Sequence, residues 1–99
     1  MGINVRIRVM GSLKEIMGNP FQINLPDDST IQDLLDSLSN DFDQQFKEKF
    51  NQSLSELYPS LFILLNDADI SLFEDEHTKL SNNDIITILP IIHGGNHEL

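Results

Sequence analysis

The residues best placed to do chemistry lie near the end of the chain, in Ile91-Ile92-His93-Gly94-Gly95, after which only Asn96-His97-Glu98-Leu99 follow. Two successive glycines cost backbone entropy and bury no side chain. At a strand end such a pair often marks a turn, but four residues are too few to pair back. Two readings stay open: an ordinary frayed terminus, or a tail that threads a narrow channel and offers a backbone carbonyl to another protein. Ile91 and Ile92, large and apolar on an outgoing segment, suit a docking tail better than a linker. His93 and His97 stand at i and i+4, which on a helix would suit a metal; Gly94-Gly95 between them disfavours a helix, and no third ligand is evident, so no metal site is expected. Acidic pairs such as Asp27-Asp28 read as helix caps and surface. There is no glycine-rich phosphate loop and no nucleophile, base and orienting acid in a defensible order, so no catalytic residue is expected.

The tail must be held by what precedes it. Asp84-Ile85-Ile86-Thr87-Ile88-Leu89-Pro90 reads as a buried strand stopped by a proline, which lacks the N–H to continue a central ladder. At the other end, Ile3, Val5, Ile7 and Val9 alternate with Asn4, Arg6, Arg8 and Met10, a half-buried strand. Gly11 and Gly18 bracket a turn or single helical turn, and Phe21, Ile23 and Leu25 alternate in a second strand, linked closely enough to pair antiparallel. Ser29 with Gln32, or Thr30 with Asp33, fits a capping box. Ile31, Leu34, Leu35 and Leu38 then share one helical face, with Asp27, Asp28 and Asp33 at the positive end of the dipole. Residues 40–57 form a second helical stretch, striped by Phe42, Phe46, Phe50, Leu54 and Leu57 and breakable at Asn51 or Ser53. Leu61-Phe62-Ile63-Leu64-Leu65 is a continuous apolar run, compatible with a strand covered on both faces. Asn66-Asp67-Ala68-Asp69 is turn chemistry, Ile70 to Phe73 a weak strand or irregular segment, and Glu74-Asp75-Glu76-His77 an exposed acidic loop. The order predicts an α+β fold with one mixed sheet of four or five strands and helices on one face, with the first and last strands as central neighbours. One domain is expected over residues 1–90, and a flexible tail over 91–99.

The formal charge of −10 is uneven. Residues 1–20 carry Arg6, Arg8 and Lys14 against Glu15; the remainder carries fifteen acids against Lys47, Lys49 and Lys79. Such a chain is a poor nucleic-acid binder and favours a basic protein partner. No apolar run approaches a membrane span and no signal peptide is visible, so the default is a cytoplasmic protein. Cysteine is absent, which excludes disulfides and thiolate metal sites.

The landmarks in their order resemble one family. Val9-Met10-Gly11-Ser12-Leu13-Lys14-Glu15-Ile16-Met17-Gly18 follows the first strand, Ser29-Thr30-Ile31-Gln32-Asp33-Leu34-Leu35 opens the helix, and Leu64-Leu65-Asn66-Asp67 closes a strand. Asn83-Asp84-Ile85-Ile86-Thr87-Ile88-Leu89-Pro90 then leads to Gly94-Gly95. Together these are similar to the β-grasp sulfur carriers of the MoaD and ThiS type and to the related ubiquitin-like small modifiers. The ending Leu-x-x-x-His-Gly-Gly is close to the eukaryotic ubiquitin-related modifier.

The resemblance implies a β-grasp fold and a carrier that is acted upon rather than an enzyme, though in the molybdopterin branch it counts as the small subunit of the synthase. An E1-like enzyme would adenylate the terminal glycine, which carried over to this chain makes the carbonyl carbon of Gly95 the reacting atom, with Gly94 allowing close approach; sulfur would be placed there as a thiocarboxylate for molybdopterin-type synthesis or for tRNA or thiamine thiolation. In modifier members the activated carboxylate joins a lysine instead. A third reading is a β-grasp interaction module without tail chemistry. No cofactor is implied for the chain itself, since ATP and the sulfur donor belong to the activating enzyme. Partners would be that enzyme, an acceptor such as the molybdopterin synthase large subunit, and a processing peptidase. The family also uses an exposed apolar patch on the sheet face away from the helix. Met10 and Leu89 match such positions, with Phe62 or Leu64 as a third, unless these two are core beneath the second helix. One departure stands out: the family usually ends at Gly-Gly, whereas Asn96–Leu99 follow here. They are trimmed by a peptidase, are foreign to the natural chain, or mark a protein that keeps only the fold.

Overall fold

Period-two alternation becomes the first strand of the computed structural model, which describes residues 2–18 and 20–91. In β1 (Gly2–Val9) the side chains of Ile3, Val5, Ile7 and Val9 enter the core, while Arg6 and Arg8 face out. A 3-10 turn (Gly11–Leu13) and a single helical turn, α1 (Lys14–Met17), bury Leu13 and Met17. The chain returns as β2 (Phe21–Pro26), antiparallel to β1 from the Ile7–Phe21 pair to the Gly2–Pro26 pair.

Of the two capping pairs legible in the sequence, Thr30 with Asp33 is the one used: the Thr30 Oγ1 accepts from the Asp33 N–H at 3.3 Å, and the Asp33 carboxylate accepts from the Thr30 N–H at 2.9 Å. The helix it opens, α2 (Ile31–Phe50), holds the two expected helical stretches end to end, joined at a kink where Phe42 leaves helical geometry (φ −121°, ψ 15°). The second stretch thus starts at this kink rather than at residue 40. No glycine or proline interrupts it, and Leu38 to Phe42 is one more step of four, so the apolar face continues. Steps of four overrun the helical repeat by about 40° each, and the kink falls within that run. Phe46 is fully buried, and Phe42 and Phe50 are partly buried against the core. The break comes at Asn51, in left-handed conformation (φ 58°), its N–H donating to the Lys47 carbonyl. Ser53 and Glu56 then cap each other reciprocally at 2.8 and 3.2 Å, opening the short α3 (Leu54–Leu57).

Three more strands finish the sheet: β3 (Leu61–Leu65), the two-residue β4 (Ala68–Asp69) and β5 (Ile85–Pro90). Asn66 and Asp67, both at positive φ, make the β3–β4 turn. Beyond β4 the chain forms 3-10 turns at Ile70–Leu72 and Asp75–His77 rather than a longer strand. The strand order is β2-β1-β5-β3-β4, with β5 parallel to β1 and antiparallel to β3. The helices cover one face, where Ile31, Leu34, Leu35, Leu38 and Phe46 meet Val5, Ile7, Ile63, Ile86 and Ile88. This is the β-grasp, ubiquitin-like α+β fold, with a five-stranded mixed sheet. Among the described residues no helix is long and apolar enough to cross a membrane.

The other sheet face is open, and this corrects the reading of residues 61–65 as covered on both sides. Leu61, Ile63 and Leu65 are buried, whereas Phe62 is exposed and Leu64 half-buried. Neither lies beneath the helix, because alternation sends even-numbered β3 residues to the opposite side.

Candidate functional site

β5 carries the chain toward its glycine pair, and its neighbours decide what stands beside that exit. Ile86 and Ile88 point into the core, leaving Ile85, Thr87 and Leu89 on the open face. Register places Leu89 directly opposite Phe62 and Thr87 opposite Leu64 on β3. On the other flank, Arg6 pairs with Ile85 and Arg8 with Thr87. Met10 continues this row: its backbone is extended (φ −131°), its N–H donates to the Ile88 carbonyl at 3.0 Å, and its side chain is 46% exposed.

The open face therefore has an apolar centre of Phe62, Leu64 and Leu89, with Met10 near the exit end and two arginines along one side. Phe62 is 39% exposed, a large apolar side chain presented to solvent by a central part of the sheet. Neither arginine forms an ion pair among the described residues. The Thr87 hydroxyl, between Arg8 and Leu64, is buried without a hydrogen-bond partner.

The exit itself is held firmly. Pro90 ends β5 opposite Leu61, and the Ile91 N–H still donates to the Ser60 carbonyl at 2.9 Å. Ile91 is 40% exposed. Ile92, Gly94 and Gly95, expected as docking and reacting residues, lie outside the described residues, as do His93 and His97. Of the expected docking residues, the structure thus pairs Phe62 with Leu89 in register across neighbouring strands, sets Leu64 two residues along, and puts Met10 and Ile91 at the end where the chain leaves.

Sequence reasoning set Arg6 and Arg8 on the outward row of the first strand but gave them no role beyond charge. The signal that could have given them one was that same β1 alternation, which puts them on the side away from Val5 and Ile7. Gly11, which packs against Pro90, was read only as a turn residue.

The ThiS family profile matches residues 7–95 of the chain. The chain belongs to the ThiS family. This ThiS-family chain is 31% identical over 78 residues to the ubiquitin-related modifier 1 homolog of Caenorhabditis elegans, across 75% of the chain and 77% of the relative. The solution structure of the small archaeal modifier protein 1 of Methanosarcina acetivorans superposes with a TM-score of 0.73 at 25% identity, covering 96% of this chain and 99% of that one. A subunit in the complex of subunits 1 and 2 of the molybdopterin-converting factor of Helicobacter pylori matches with a TM-score of 0.52 at 25% identity, over 94% and 100% of the two chains. The ThiS-family assignment covers carriers and ubiquitin-related modifiers alike.

Proposed function

We propose that this protein is a sulfur carrier whose terminal glycine, Gly95, is adenylated by an E1-like enzyme and converted to a thiocarboxylate. The observation that carries this reading is the apolar face of Phe62, Leu64 and Leu89, set beside the anchored exit at Pro90 and Ile91. A partner docked on that face has the tail at hand. From Ile91, residues 92–95 reach at most roughly 13–14 Å when extended. The enzyme's nucleotide site must therefore lie within that distance of the docking surface.

The division of labour follows. Phe62, Leu64, Leu89 and Met10 supply apolar area that is lost from water on docking. Arg6 and Arg8 seek carboxylates on the partner, so the local partner chemistry is acidic although the whole chain, at −10, favours a basic one. Gly94 and Gly95 present backbone alone to the enzyme, whose ATP activates the Gly95 carboxylate; a sulfur donor then displaces the adenylate. The Gly95–Asn96 bond is hydrolysed first by a peptidase, because the reaction needs a free carboxylate at Gly95. The family match reaching residue 95 supports this position for the mature end.

The sulfur acceptor is read as an enzyme of the kind represented by subunit 2 in the molybdopterin-converting factor complex. A second reading, attachment of Gly95 to protein lysines, is favoured by the relatedness to ubiquitin-related and archaeal modifiers.

The two readings separate in one experiment. The protein ending at Gly95 is incubated with its cognate E1-like enzyme, ATP and a sulfur source, and intact mass is measured. The carrier reading expects the increment of one oxygen-to-sulfur exchange. An unchanged mass with active enzyme, alongside lysines bearing a Gly-Gly remnant in cells, would replace it with the modifier reading.

A further inference from the structure

We propose that the loop from Asp69 to Lys79 is a second docking surface, shaped for a protein segment that carries Lys or Arg beside apolar side chains. This inference does not depend on the fate of the tail. Leu72 is 74% exposed and Phe73 49%, adjacent residues and the two most exposed large apolar side chains among those described.

Their exposure is built in. Ile70 is buried directly before them, the Asp69 carboxylate accepts from the Ser71 N–H at 2.9 Å, and the Phe73 N–H donates to the Ile70 carbonyl at 2.9 Å. The Glu74 N–H donates to the hydroxyl of buried Thr78 at 3.0 Å. Backbone bonds from Ile31 to Thr78 and from Leu80 to Ser29 tie the segment to the start of α2. A loop ordered in this way loses little entropy on binding. Phe73 also lines an open concavity of about 500 Å³ with Glu74, Thr78 and Lys79.

Charge selects the occupant. Glu74, Asp75 and Glu76 follow the apolar pair, and among the described residues their only ion-pair contact is His77 to Glu76 at 3.9 Å. The Tyr58 phenol responds to the same field: burial raises its pKa, and the nearby Glu76 and Asp75 carboxylates raise it further. A second copy of the chain is opposed by its own net charge of −10. A cationic, partly apolar segment of another protein meets both features. The face bearing Arg6 and Arg8 has the opposite sign, so the two surfaces suit different partner chemistries.

The test is an amide NMR titration of the protein with a synthetic peptide of alternating Lys and Leu, against a control in which Glu replaces Lys. The cationic peptide is expected to shift resonances of residues 70–79 selectively, and the control to leave them unmoved. Affinity should fall about tenfold in a Leu72→Ser/Phe73→Ser variant, fall again in Glu74→Gln/Asp75→Asn, and stay unchanged in Arg6→Ala/Arg8→Ala. Spectral dispersion verifies that each variant is folded. Absent binding, shifts spread equally over the carboxylates of α2, or peptide-free self-association through Leu72 and Phe73 would each overturn the proposal. Mass change at Gly95 in the Leu72→Ser/Phe73→Ser variant should match the parent, which keeps this outcome separate from that of the carrier reading.

Discussion

Gly11 and Pro90 lie against each other where the first and last strands end: a Cβ on Gly11 would stand 3.3 Å from Pro90 Cγ and 3.4 Å from Cδ, and Gly11 itself has φ of 63°. Both features call for glycine, one through close approach and the other through backbone conformation. Gly11→Ala is expected to destabilise the protein by about 1–2 kcal/mol. In a Pro90→Ala background the penalty should shrink to the conformational part alone. Urea unfolding of the four proteins in a double-mutant cycle measures the coupling; a coupling of zero would mean that the ring contact contributes nothing.

Among the described residues, Thr87 is the buried residue whose hydroxyl lacks a partner. Such a group costs free energy relative to a methyl of the same shape. Thr87→Val should therefore stabilise the fold by about 1 kcal/mol in urea unfolding. A comparable loss of stability would show that the hydroxyl is hydrogen-bonded to water in solution.

Phe62 is 39% exposed, so Phe62→Ser should cost about 1–2 kcal/mol of stability through the covered part of the ring. As a central apolar anchor of the proposed docking face, it should, if the proposed E1-like partner binds there, weaken that binding by about 2 kcal/mol, roughly 30-fold. Arg6→Glu/Arg8→Glu should instead act mainly on the association rate and its salt dependence. Calorimetry and stopped-flow association distinguish the two.

Tyr58 is the single tyrosine of the chain, and tryptophan is absent, so phenolate absorbance reports on it alone. Its folded pKa is raised by burial first and by the Glu76 and Asp75 carboxylates next. The folded state thus keeps this proton to higher pH than the unfolded state does. The associated stability is intact below the unfolded value, about 10, and is lost as pH climbs through the folded one. Native protein should titrate above the urea-unfolded protein, and Tyr58→Phe should flatten the fall of stability above about pH 10. Coincident native and unfolded titration curves would remove this account.

Thr30 accepts from the Asp33 N–H at the start of α2. Thr30→Ala should cost about 1 kcal/mol, and Thr30→Ser much less, as read by thermal or urea unfolding.

The sequence by itself determined the inward rows of β1 and β2, a helix start capped at Ser29 or Thr30, the core stripe through Phe46, and the adjacency of the first and last strands. These rest on local periodicity and capping chemistry, which act within a few residues. Tertiary structure decided the rest. The run Leu61–Leu65 is apolar at every position, so it carries no phase, and only the placement of the helices on one side exposes Phe62. Arg6 and Arg8 are 56 and 54 residues from Phe62 along the chain, and only the pairing of β5 between β1 and β3 sets them around one patch. The kink at Phe42, where the two helical stretches of α2 join, was also placed by packing, because nothing in the local sequence marks that residue as non-helical.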